Sequence, residues 1–222
     1  VDSAGNQANG ISLWHDISAD GRYVAFSSEA SNLVANDTNG VSDIFVHDLQ
    51  TGITTRESVD SDENQTSVGI SGVSISGDGR YITFSSEAPN LVANDTNGTW
   101  DVFVRDLQTG TTIRASEGLG GIQGNGASGG GSLSHDGRYI TFDSLATNLI
   151  AGDTNGFSDI FKRDLQTGVV TLVSKDSIGT QGDNNSTIPV MSSDGRYITF
   201  TSIADNLVAN DTNNKSDVFV HD

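Results

Sequence analysis

Aspartate and asparagine alternate around a turn four times along this chain, each copy 58 residues after the last. The pattern D-x-N-G-x-x-D places Asp37, Asn39 and Asp43 in the first copy, Asp95, Asn97 and Asp101 in the second, and Asp153, Asn155 and Asp159 in the third. The fourth copy, Asp211, Asn213 and Asp217, has Asn214 in place of the glycine and Lys215 beside it. Calcium takes about six to eight oxygens from carboxylates, amides, backbone carbonyls and water on a flexible loop. Acids and amides alternating about a Gly turn match that demand. These twelve residues are the candidate metal ligands and Ca2+ is the candidate cofactor, with weaker binding expected beside Lys215. Asn-Gly is also a strong turn former, and Asx side chains bond their own backbone, so turn-making is the competing reading.

Three aromatic residues are the second set with recognition chemistry. Twelve of the fifteen aromatics recur in register, as Tyr23, Phe26 and Phe45 in the first copy and their equivalents 58, 116 and 174 residues on. Those are expected to be core, packing blade on blade. Trp14, Trp100 and Phe157 break the register and are the candidate ligand-binding residues. Trp100 and Phe157 fall inside the acidic loop. Trp14 opens an inner strand where the other copies have Gly72, Gly130 and Ile188. Aromatics on a loop-rich face suit a sugar ring or a protein anchor.

No catalytic residues are assigned. His47 and His221 share one repeat position with Arg105 and Arg163, which reads as exposed strand polarity. The stretch Gly118–Gly131 lacks the Lys-Ser/Thr ending of a phosphate loop and is expected to be a flexible connection. No Gly-x-Ser-x-Gly elbow and no His-rich zinc spacing is present.

The elements that must carry these residues follow from the repeat. Asp-Gly-Arg-Tyr recurs at Asp20, Asp78, Asp136 and Asp194. In the first copy Ile11–Ser18, Arg22–Ser28, Asp43–Asp48 and Ile53–Ser58 read as strands, separated by the turns at Gly21 and Gly52 and by a long loop. Four antiparallel strands per unit make a β-propeller blade. The predicted fold is all-β, a propeller of four 58-residue repeats spanning 1–58, 59–116, 117–174 and 175–222, the last without its outer strand. The tight turns share one face. The acidic loops and the inter-blade links, Val59–Gly69 being the first, share the other, which is the expected functional face.

The string S-x-D-G-R-Y-[VI]-[AT]-F followed by D-[IV]-F-[VK]-x-D resembles the TolB-like, WD-repeat-like β-propeller repeats of bacteria, over essentially all four units. The first three units continue it with L-Q-T-G. The resemblance implies fold more than function, since such repeats serve assembly factors, peptidase-associated propellers and surface proteins. A closed four-bladed ring is expected, either with a three-stranded last blade or with Val1–Asn6 pairing as its missing edge. The alternatives are two chains completing an eight-bladed ring, or a piece of a longer array. The start at Val1 reads as a processed or excised segment.

Composition bounds the partners. Eleven basic against 29 acidic residues give a net charge of −18, which argues against nucleic acid and anionic membrane surfaces. No apolar run reaches the roughly 20 residues of a membrane helix, so no membrane insertion is expected. The absence of cysteine excludes disulfides and thiolate metal sites. The expectation is a non-enzymatic binding or scaffold propeller, secreted, at the cell surface or periplasmic. It would recognise a protein surface or glycan, as monomer or homodimer. A secreted polysaccharide-active hydrolase or lyase is the alternative.

Overall fold

The computed structural model describes residues 1–222 and is all-β, without a helix. Blade 1 contains β1 (Ser12–Ile17), β2 (Tyr23–Ser28), β3 (Asp43–Asp48) and β4 (Ile53–Arg56). Blade 2 contains β5 (Ile70–Ile75), β6 (Tyr81–Ser86), β7 (Asp101–Asp106) and β8 (Thr111–Arg114). A short hairpin of β9 (Glu117–Gly118) and β10 (Ile122–Gln123) precedes blade 3, which contains β11 (Ser128–Leu133), β12 (Tyr139–Ser144), β13 (Asp159–Asp164) and β14 (Val170–Leu172). Blade 4 has three strands, β15 (Ser186–Met191), β16 (Ile198–Ser202) and β17 (Asp217–His221). Every sheet is antiparallel with sequential strand order, the meander of a propeller blade.

The Asp-Gly-Arg-Tyr signature builds each blade from four separate contributions. Asp20 accepts hydrogen bonds from the Ser18 hydroxyl at 2.6 Å and the Arg22 amide at 3.0 Å, closing the β1–β2 turn. Gly21 takes φ of +74°, where an L side chain is disfavoured. Arg22 forks onto both oxygens of Asp48 at 2.9 and 2.8 Å, tying this turn to the end of β3. Tyr23 lies under that guanidinium, 4.7 Å from ring centre to Cζ, and its ring reaches the turn glycine of the next blade, Gly79. The phenylalanines pair across strands within a blade, Phe26 with Phe45 at 5.8 Å and likewise in the other three.

Between blades the packing repeats too. Ala25, Ile44 and Val46 of blade 1 bury against Ile75, Ile82 and Phe84 of blade 2. Val102 and Val104 meet Leu133, Ile140 and Phe142, and Ile160 meets Met191, Ile198 and Phe200. The inner strands β1, β5, β11 and β15 contact one another in that order, but β15 has no comparable packing on β1. The four blades therefore form an open arc, which corrects the expected closed ring. Ile17 is 53% exposed where its equivalents Ile75, Leu133 and Met191 are 5–7% exposed. Val1–Asn6 does not supply an edge to blade 4 either. It folds onto the outer strand of blade 1, where the Thr54 hydroxyl donates to the Val1 carbonyl at 2.7 Å.

The links between blades are more ordered than their composition suggests. In the link before blade 2, Asp60 caps a tight loop by accepting the Asp62 and Asn64 amides at 2.9 and 2.8 Å, and Val59 bridges Gln65. Asp2 and Asp176 do the same before blades 1 and 4, and β9–β10 replaces this loop before blade 3. Part of Gly118–Gly131 is thus strand and not a flexible connection. The links clamp the arginines of the third strands. Arg105 is buried, its Nε 2.7 Å from Glu57, with Glu63 and the carbonyls of Asp60 and Gly110 on its other nitrogens. Arg163 is held 2.7 Å from Glu117. The reading of this position as exposed polarity fails for both arginines, because the link folds over the strand and supplies acceptors.

Candidate functional site in the central cavity

Inner strands set the geometry. Each carries a β-bulge at the same place, where the register with the second strand slips. The bulged residues Trp14, Gly72, Gly130 and Ile188 have φ of +31°, +65°, +54° and +55°. Glycine adopts this region freely, whereas a tryptophan and a β-branched isoleucine there hold strained backbone. Bulges of this kind re-aim a side chain, and they gather beside functional sites. Here Trp14 and Ile188 stand exposed at the two ends of the row.

A cavity of about 560 Å³ opens among these strands on the long-loop face. Trp14 and Trp100 both line it, with Asp143, Leu145, Asn185 and the hydroxyls of Ser71, Ser85 and Ser158 among the rest. Trp100 is placed by its own carbonyl, which accepts the Ser128 amide of the next blade's inner strand at 2.8 Å. The structure thus brings together two of the three aromatics that break repeat symmetry. Phe157 is half-buried on the third loop, its amide bonded to Asn155 at 3.0 Å, and it does not line the cavity.

Asp143 is the cavity residue that the sequence reading missed. Its equivalents are Ser27, Ser85 and Thr201, so it is the one acid at this strand position, and that irregularity was the available signal. Its carboxylate lies over the bulge, where a Cβ on Gly130 would come within 2.9 Å of Oδ1. Burial pushes its pKa up to about 6, slightly offset by the Ile188 amide. It is a carboxyl that can donate or accept within the physiological range. Two indole faces, one such carboxyl, an amide and several hydroxyls form a surface suited to a hydroxyl-rich ring.

Internal hydrogen bonds hold each acidic loop. Asn39 donates to Asp43 at 2.9 Å and to the Thr66 carbonyl at 3.3 Å, and its own oxygen accepts the Val41 amide. Asp43 also accepts from the Ser58 hydroxyl. Asn97 with Asp101, and Asn155 with Asp159, repeat this at 2.9 and 2.7 Å, with Ser116 and Ser174 as the hydroxyl donors. Asn213 holds Asp217 at 2.7 Å, and its oxygen accepts the Lys215 amide. In the first two loops a cation is already present in the chain. Arg56 stands 3.4 Å from Asp37, and Arg114 stands 3.5 Å from Asp95. Nowhere do three His, Asp or Glu side chains converge on one point as metal ligands would.

The third loop differs. Leu172 occupies the strand position of Arg56 and Arg114, paired in the same register with Phe161. Asp153 is buried there with Oδ1 lacking a partner, and burial raises its pKa. Asp211, in the fourth loop, makes only a long 3.5 Å contact to the Asn213 amide.

No family model and no curated protein matches this chain. Solved structures do. A putative TolB from Agrobacterium tumefaciens superposes with a TM-score of 0.59 at 18% identity, over 97% of this chain and 59% of its own. TolB from Acinetobacter baumannii gives 0.57 at 18% identity, over 96% and 41%. An oligogalacturonate lyase from Vibrio parahaemolyticus gives 0.55 at 14% identity, over 91% and 50%. The chain therefore has the TolB-like β-propeller fold and spans about half the length of the proteins it matches. That shared fold joins binding proteins and enzymes, so function rests on the site.

Proposed function

We propose that this chain is a non-enzymatic binding propeller that takes a glycan, or a protein segment of similar polarity, in the central cavity of its long-loop face. The observation that supports this reading most is the convergence of Trp14, Trp100 and Asp143 on one cavity. All three depart from the repeat, as do Leu145 and Asn185 beside them, while the twelve aromatics that pack the blades obey it. A scaffold that only packed blades would need none of these departures. The strongly acidic composition, rich in Asn, Asp and Gly, suits a secreted, cell-surface or periplasmic setting.

A polysaccharide-active enzyme is the second reading, and Asp143 is what favours it, since a carboxyl with a pKa near 6 fits general acid–base work. Glycan-array binding combined with product assays separates the two. Retention of an oligosaccharide without new reducing ends or unsaturated sugars supports the binding reading. Turnover that is lost in Asp143→Asn supports the enzyme, and absence of any glycan or peptide signal contradicts both. Calcium, expected at four loops from the spacing alone, is disfavoured by Arg56 and Arg114 at the first two and by Lys215 beside the fourth, which supports the third as the site. There Asp153 lacks the arginine that Asp37 and Asp95 have.

A further inference from the structure

The open arc ends in two faces that match each other. At each internal boundary a tyrosine of one blade lies over the turn glycine of the next. The rings of Tyr23, Tyr81 and Tyr139 occupy the space where a Cβ on Gly79, Gly137 and Gly195 would be. The same knob and the same socket are left over at the ends. Tyr197 is 41% exposed, and nothing lies within 4 Å of the Cβ position of Gly21.

The apolar surfaces repeat this relation. On the trailing face, Val218 is 78% exposed where Ile44, Val102 and Ile160 are fully buried, and Val220 is 68% exposed where Val46 and Val104 are buried. On the leading face, Ile17 is exposed and Phe26 only half-buried, where Phe84 and Phe142 are covered. The backbone is left ready as well. The Ala19 amide donates to Gly77 at 2.9 Å and His135 to Ser193 at 2.8 Å across two internal boundaries. No such bond joins Ser193 to Ala19.

From this equivalence we propose that two copies of the chain associate head to tail, the Tyr197–Val218–Val220 face of each seated on the Ile17–Gly21–Phe26 face of the other, to close an eight-bladed ring. Each contact would reproduce a boundary that the chain already makes three times within itself. The number of copies follows from closure. Propellers close with about four to eight blades. One copy supplies four without closing, and three would exceed the range. The contact is heterologous, and with two copies it satisfies both ends of both chains. It also sets Ile188 of one copy beside Trp14 of the other, so each chain adds a wall to the other's cavity.

The test is solution mass, measured on the chain and on two surface variants by light scattering with sedimentation equilibrium. The chain itself is expected at twice its monomer mass. Ile17→Asp on the leading face and Val218→Asp on the trailing face are each expected to be monomeric, with unchanged far-ultraviolet circular dichroism because both sites are exposed. Mixing the two variants is expected to restore a one-to-one dimer, since one of the two contacts then joins two unaltered faces. A two-fold contact between identical patches cannot show that rescue. A monomeric chain at high micromolar concentration overturns the proposal, leaving other blades to cover these faces. So do a dimer that both variants keep, a mixture that stays monomeric, or polymers in place of a closed pair.

Discussion

Three side chains carry the proposed site, and each has its own expected signature. Truncating Trp14 or Trp100 to alanine removes an indole face and is expected to cost about 1.4 kcal/mol of binding or more, which is roughly tenfold in Kd. Phe157→Ala, away from the cavity, is expected to leave affinity unchanged, as titration calorimetry would show. Asp143 adds a pH dependence. Its folded pKa is raised from 3.8 to about 6, so the neutral form is favoured in the folded state. The stability it contributes is full below pH 4 and is lost as pH rises through 6. Asp143→Asn is expected to flatten that decline and to be the more stable protein at pH 8, by up to about 3 kcal/mol. Denaturant midpoints at pH 4 and pH 8 check it, and an identical slope in both proteins would refute it. The tryptophans were legible as departures from the repeat. Asp143 was not, because one acid among 29 attracts notice only once its strand position is known to face the cavity.

Among the elements, the links and acidic loops depart furthest from what their composition implies. Residues rich in Gly, Asn and Asp read as mobile connections. Asp60 and Asp176 instead cap tight loops, and the link before blade 2 buries the Arg105 guanidinium between Glu57 and Glu63. Removing one partner of a buried ion pair strands the other. Arg105→Ala is therefore expected to destabilise the protein by about 3 kcal/mol, read as a shift of the urea midpoint at constant slope. The third acidic loop is expected to respond to calcium alone among the four. Calorimetry should find one ion, lost in Asp153→Asn and in Leu172→Arg, which installs the arginine of the first two loops. Three or four ions would restore the reading from spacing alone. The spacing showed the ligand types but not the neighbours, since Arg56 and Arg114 lie 19 residues after Asp37 and Asp95 and meet them only through the sheet.

For the whole molecule, the repeat made the architecture readable. The first three strands of the first copy fall within a residue of their predicted bounds, β4 is two residues shorter than expected, and blade 4 has three strands. Closure was not readable, because a 58-residue period fixes what each blade contains and says nothing of the angle between blades. The exposed Ile17 and Val218 faces supply that information only in three dimensions. The cavity lies where the inner strands converge, on the long-loop face of the arc. Trp14 and Trp100 are the protein's two tryptophans, and both line the cavity. Intrinsic fluorescence therefore reports on the site itself. The decisive measurement is tryptophan emission during titration with a panel of acidic and neutral oligosaccharides, repeated on Trp14→Phe and Trp100→Phe. A saturable change with one class of sugar, weakened in both variants, is the predicted result. Binding detected by calorimetry with no change in emission, or unaltered by either substitution, would place the ligand elsewhere and contradict the account.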